Sequence, residues 1–165
     1  MKTLASKIGI SELQIVSYNE EMLEDMMELF YNTIHSVSAK DYTRGQLDRW
    51  APLHPDVAAW KQRLNRNVCK VAMIENVIVG FSELTEDAHV DCMYVHKDYQ
   101  RKNVAGILLK ELQQIAEERN FEVLTTEASI TAKPFFEKHG FRVMQVKKKL
   151  YNGKEFINYK MKKQL

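Results

Sequence analysis

The sequence predicts an α+β fold: a mixed, mostly antiparallel, twisted sheet with helices on both faces. Three observations predict it. From Val68 the apolar spacing changes from helical to strand-like. Three strand-like runs between Val68 and His96 are joined only by short turns, as in an antiparallel meander. A strand–helix–strand stretch over residues 88–127 then requires one parallel pair. At 165 residues and 45% hydrophobic, the chain suits a single domain over residues 1–165, with its ordered core starting near residue 11.

Each element has a local reason. In "SELQIVSY", Leu13 and Ile15 share a face, which reads as a first strand. Asn19 suits the N-cap of a helix running to about Val37, with Leu23, Met26, Met27, Phe30, Ile34 and Val37 on one packing stripe. Thr43 and Gln46 have capping-box spacing, so a short helix runs to Trp50 and stops at Pro52. Another helix starts at Asp56, with Val57, Trp60 and Leu64 on one side. Trp50 and Trp60 bracket the Pro-broken turn, either as a satellite core or as the aromatic wall of a cleft.

"VCKVAMI" and "VIVGFSEL" flank Glu75 and Asn76, a tight hairpin, and "HVDCMYVH" follows a turn near Glu86 and Asp87. The next helix turns Val104, Ile107, Leu108, Leu112, Ile115 and Ala116 inward. "FEVLTTEA" is a strand, and a short helix in "TAKPFFEKH" ends at Gly140. "FRVMQVKKKL" and "KEFINYKMKK" pair across Asn152 and Gly153.

Composition excludes several classes. A net charge of +2 does not suit a protein that coats nucleic acid. Lys147, Lys148, Lys149, Lys154, Lys160, Lys162 and Lys163 read as exposed strand lysines that discourage edge pairing. Cys69 and Cys92 lie in apolar runs as free buried thiols. "MKTLASKIGI" is too weak for a signal peptide, and no segment approaches the roughly 20 apolar residues of a membrane span. A cytoplasmic location is expected. His54 and His139 lack metal-ligand spacing, so no metal is expected.

The most informative stretch is "YVHKDYQRKNVAGILLKEL", residues 94–112. From Tyr99 to Lys110 it has no carboxylate, although helix starts ordinarily attract them. Arg101 and Lys102 stand there instead, and Asn103, Ala105 and Gly106 let backbone approach a ligand closely. A phosphate or pyrophosphate on the amides of residues 101–106 would complete the site. The stretch is neither G-x-x-x-x-G-K-[ST] nor G-x-G-x-x-G, which disfavours a nucleotide triphosphatase and a Rossmann site.

This stretch resembles motif A of the GNAT superfamily of N-acetyltransferases, Q/R-x-x-G-x-G/A, carried here by Gln100, Arg101, Lys102, Asn103, Val104 and Ala105. "ASITAKPFFEKHGF" is similar to the family's A-x-x-F-Y/F-E-K-x-G-F segment. "DYTRGQLDRWAP" and "INYKMKKQL" resemble the bacterial YafP-like branch. The resemblance implies acetyl-CoA as cosubstrate, with its pyrophosphate on residues 101–106. It also implies a pantetheine arm beside Met93, Tyr94 and Val95, with Ser129, Phe135 and Phe136 near the arm. Two positions depart from the pattern. Asn103 replaces a glycine, and asparagine tolerates the left-handed region best after glycine. Phe136 stands where many members carry a proton-donating tyrosine.

The reaction implied is direct attack of an amine on the thioester, since no acyl-enzyme nucleophile is visible. A backbone N–H near Val95 is implied as the oxyanion donor. Glu83, sharing strand parity with Val79 and Phe81, is the first choice of base; Asp91 and His96 are further candidates. Tyr94, Ser129 or a water could supply the proton that Phe136 cannot. His35, Tyr42 and Trp50 are candidates for an acceptor pocket. The acceptor is expected to be a small-molecule or peptide amine, with no nucleic-acid or membrane partner, on a monomer or homodimer. A non-catalytic acyl-CoA-binding or sensing module is the competing reading.

Overall fold

Residues 12–151 and 153–165 are described by a computed structural model. Within them the strands β1 (Gln14–Ser17), β2 (Val68–Ile74), β3 (Val77–Leu84), β4 (His89–Val95), β5 (Val123–Ala128), β6 (Arg142–Tyr151) and β7 (Lys154–Gln164) form one sheet in the order β1-β2-β3-β4-β5-β7-β6. The helices are α1 (Leu23–Ser36), α2 (Arg44–Trp50), α3 (Val57–Arg66), α4 (Val104–Glu118) and α5 (Lys133–Lys138). The absence of a signal peptide was read from residues 1–10, which lie outside the described residues. No described helix is long and apolar enough to cross a membrane.

The predicted α+β class holds, with helices on both faces. On one face, Leu23, Met26 and Leu29 of α1 and Trp60 and Leu64 of α3 pack on Val71, Ile78 and Phe81. On the other, α4 buries Val104, Leu108, Leu109, Leu112 and Ala116, and α5 adds Phe136. Burying side chains of this size typically stabilises by about 1.5–3 kcal/mol each, before entropy is charged against it.

Local chemistry explains most boundaries, with some corrections. Asn19 caps a 3₁₀ turn, Glu20–Met22, through its Oδ1 and the Glu21 N–H, so α1 starts only at Leu23 and ends at Ser36. Leu29 and Thr33 are buried, whereas Met27 and Val37 are half-buried, so the packing stripe is rotated from the predicted one. Val57 is exposed, because α3 meets the sheet through Trp60 and Leu64 only. Glu75 and Asn76 both take positive φ, as a two-residue hairpin turn demands. Gly140, at φ +92, closes α5 with a Phe141 N–H to Phe136 O bond. At the last hairpin Asn152 lies outside the described residues; Tyr151 pairs with Lys154 across it, and Gly153 has φ +78. Cys69 is buried and Cys92 half-buried, both as free thiols.

Two register shifts reshape the centre of the sheet. Ala72 pairs with Gly80 and Met73 with Ile78, leaving Val79 as an extra residue. Val79 and Gly80 therefore both face α4, while Phe81 faces α1 and α3, so the parity expected between Val79 and Phe81 fails. On β4, Glu83 pairs with Cys92 and Leu84 with Val90, leaving Asp91 as the extra residue.

Candidate functional site

α4 begins differently from α2 and α3. The Thr43 hydroxyl accepts from the Gln46 N–H, and the Gln46 side chain accepts from the Thr43 N–H. Asp56 Oδ1 accepts from the Ala59 N–H at 3.0 Å. At α4, Asn103 sits in the left-handed region (φ 62, ψ 20), caps nothing with its side chain, and no acid lies in the first turn. Arg101 is also left-handed, at φ 58. Two non-glycine residues held there mark a strained turn, in which the first amides of α4 have no side-chain cap. Gly80 fixes where this helix start lies. A β-carbon at Gly80 would stand 3.0 Å from Val104 Cγ1 and 3.1 Å from the Tyr94 carbonyl oxygen, so only glycine admits so close an approach.

Beside this turn the sheet parts. β4 and β5 pair only at His89 with Thr125 and Val90 with Thr126; β5 then continues against β7 while β4 diverges. The His96 N–H bonds Val79 O, and this sets the phase of β4. Tyr94 and Cys92 direct their main chain at β3, and Met93 and Val95 direct theirs into the gap. The Val95 carbonyl confirms that direction by accepting from Thr33 Oγ1 at 2.9 Å and Gln100 Nε2 at 2.6 Å. Gln100 thus ties the loop to the strand end.

A cavity of about 450 Å³ opens at the gap. Phe30, Tyr42, Trp50, Trp60, Tyr94 and Phe156 form its aromatic wall; Asp91, Met93, Ser129 and Phe136 line it along the strand ends and α5. Trp60 is also packed against Phe30 and Phe81, so both roles considered for the tryptophans apply to it. Phe136, 3% exposed, belongs at once to the core beneath α4 and to the cavity lining. Phe135 stacks against His139 instead. Ser129 Oγ accepts from the Ala132 N–H at 3.1 Å, opening the turn into α5. Tyr42 lines the cavity with its hydroxyl accepting from the Ile130 N–H, whereas His35 does not line it: its Nε2 donates to Ala51 O at 2.8 Å.

Charges in this region need the largest revision. Glu83 is 0% exposed and lies outside the cavity wall. Arg63 Nε contacts both its oxygens, at 3.0 and 3.2 Å, and Asn67 Nδ2 donates at 3.2 Å. A base open to the acceptor, as expected of Glu83, is therefore not what this carboxylate is. Asp91, carried outward by its bulge, is exposed and lines the cavity. His96 accepts from the Asp98 N–H at the turn beyond β4. Burial pushes the Tyr94 phenol well above its usual range, the nearby Cys92 adds to this, and the Trp50 indole opposes it. Burial likewise raises the Cys92 thiol, with Glu83 adding to it. Donor atoms of Glu83, Asp91 and Cys92 lie within 4.8 Å of one another.

Sequence reasoning did not single out Arg63 or Phe156. Arg63 had one readable signal, its position three residues after Trp60, which puts both on one helix face.

A free strand edge with a cavity beside it and an acid-free cationic helix start beyond the strand's end suit a molecule that is extended at one end and a diphosphate at the other. Together with the motifs that resemble the GNAT superfamily, this points to a coenzyme A-dependent acyltransferase. The comparisons agree: a family model described as an acetyltransferase (GNAT) domain matches residues 38–163. The chain is 31% identical over 153 residues to YafP of Escherichia coli K12, named an uncharacterised N-acetyltransferase, covering 93% of this chain and 97% of that one. A GCN5-related N-acetyltransferase from Rhodopseudomonas palustris superposes with a TM-score of 0.91 at 31% identity, over 94% of this chain and 98% of its own. The fold is also that of the PaiA N-acetyltransferase of Thermoplasma acidophilum, solved with coenzyme A (TM-score 0.77, 19% identity, 94% and 100% covered). The chain belongs to the GNAT family and is an acetyl-CoA-dependent N-acetyltransferase.

Proposed function

We propose that the enzyme moves the acetyl group directly from acetyl-CoA to a small-molecule or peptide amine in the cavity beside β4. Acetyl-CoA would place its diphosphate on the amides of residues 101–106, aided by Arg101 and Lys102, and its arm along Met93 and Val95. Asp91 accepts the proton that the ammonium must lose. The amine nitrogen then attacks the thioester carbon, a C–N bond forms, and the Val95 N–H donates to the developing oxyanion. The C–S bond breaks as Tyr94 protonates the departing thiolate, taking over from the tyrosine that Phe136 replaces, and the proton that the attacking nitrogen sheds on forming the amide restores the Tyr94 phenol. Burial keeps the phenol protonated throughout the neutral range but makes it a weaker acid, so its contribution is at the small end of what a general acid gives.

One observation carries the reading: Asp91 and Tyr94 line the same cavity, at the edge where β4 has no strand partner. We also propose that the protein works in the cytoplasm as a monomer or homodimer, without nucleic-acid or membrane partners; the neighbours of the C-terminal lysines favour this, since Lys147 and Lys149 pair with Glu127 and Lys148 with Glu155.

The test follows thiol release over an amine panel. Asp91→Asn should lower kcat by about 10²–10⁴-fold, and Tyr94→Phe by about 10²-fold because a thiolate leaves readily, with coenzyme A affinity unchanged in both. An Asp91→Asn enzyme with wild-type kcat rejects the assigned base.

A further inference from the structure

Arg63 is used in an unusual way. Its Nε alone serves both oxygens of Glu83, and its guanidinium lies over the Trp60 ring, 4.5 Å from the centroid. Among the described residues no hydrogen bond is made by either terminal nitrogen of Arg63. The side chain is 26% exposed and lines the cavity. A counter-ion for Glu83 need offer only one contact, and a buried pair of that kind is weak support for a fold. A guanidinium held between an indole and a carboxylate in the cavity wall, with no hydrogen bond on its terminal nitrogens among the described residues, offers the fork that carboxylates bind bidentately. Asp91 lines the same cavity without a direct ion pair or hydrogen bond among the described residues.

Resting on the acetyltransferase reading above, we propose that the acceptor is a small amino-carboxylate, with its amine at Asp91 and its carboxylate held by the free edge of Arg63. The aromatic wall of Phe30, Trp50 and Phe156 would take an apolar side chain. Arg63 is thereby a specificity residue, and Glu83 is the positioning residue that orients it.

The experiment measures kcat/KM for leucine and phenylalanine, each beside its decarboxylated amine and its carboxamide. The carboxylates should be preferred by at least ~10-fold, mainly through KM, because charge-assisted pairs are the strong ones. Arg63→Lys keeps a cation opposite Glu83 but loses the fork, so the preference should collapse while melting temperature and coenzyme A affinity hold. A second readout needs no turnover. Tryptophan fluorescence of the coenzyme A-loaded protein should change saturably with N-acetylleucine and not with N-acetylleucinamide, and Arg63→Lys should abolish the change. Equal rates for all three forms, or a preference that survives Arg63→Lys, overturns the carboxylate site and leaves acetyl transfer standing. No turnover of any amine, with the acid-specific fluorescence change intact, supports the site and removes the catalytic reading instead. Absence of both signals overturns the proposal.

Discussion

Two kinds of helix start coexist in this chain. α2 and α3 satisfy their first amides internally, through the reciprocal Thr43–Gln46 pair and through Asp56. α4 has neither a side-chain cap nor an acid in its first turn, and puts Arg101 and Lys102 just before it. A helix end left this way is unfavourable by itself, because like partial charges are brought together. α5 also lacks a side-chain cap and a first-turn acid, but Pro134 removes one of its unpaired N–H groups; at α4 no such relief exists, and the proposed diphosphate would supply what the chain withholds.

The strongest way to break this contrast is charge reversal. Arg101→Glu with Lys102→Glu should weaken coenzyme A binding by about 100-fold or more in calorimetry, since each charged contact contributes about 1.5–3 kcal/mol. The same variant should melt no lower than wild type without ligand, because acids at a helix start are favourable by about 0.3–1 kcal/mol. If affinity survives and stability falls, the turn is an ordinary structural cap.

A smaller effect is expected at Gly80, where an added methyl meets Val104 and Leu108 at 3.0 and 3.2 Å. Gly80→Ala should cost about 1–3 kcal/mol in denaturant unfolding and weaken coenzyme A binding by displacing α4. Thr43→Ala and Asp56→Ala sharpen the comparison from the other side. Each should lose about 1 kcal/mol of stability with coenzyme A affinity untouched.

The last effect is confined to alkaline pH. Burial raises Cys69, Cys92 and Tyr94 above their ordinary values in the folded protein. Above about pH 8.5 the unfolded chain therefore loses protons that the folded one keeps. Stability is full below that pH and declines as pH rises through the thiol and then the phenol range. Unfolding midpoints from pH 7 to 10 check the sign.

What could be read from the sequence was local. Caps, hairpin turns and the Gly140 stop depend on neighbours a few residues apart, and so does the anomaly at Arg101 and Lys102. Pairing between distant strands was not legible. The extra residues at Val79 and Asp91 arise from register, which no single strand encodes, and one of them turned Asp91 rather than Glu83 toward the cavity. Glu83 was visible as a carboxylate on an apolar face, but its partner Arg63 lies 20 positions away on a helix. His35 was a candidate for the acceptor pocket from its place in the chain before the sheet; its ring instead donates to the nearby Ala51 carbonyl.

The parted strands have a consequence for the lifetime of the protein. β4 shares just two residue pairs with β5, so between them the molecule lacks the cross-links that close a sheet. A donor lying there would act as a removable splint, and its occupancy would raise resistance to unfolding by about 2.7 kcal/mol at a hundredfold excess over its dissociation constant. Cells starved of acyl donor would then lose this enzyme faster to proteolysis, which couples its abundance to its own fuel.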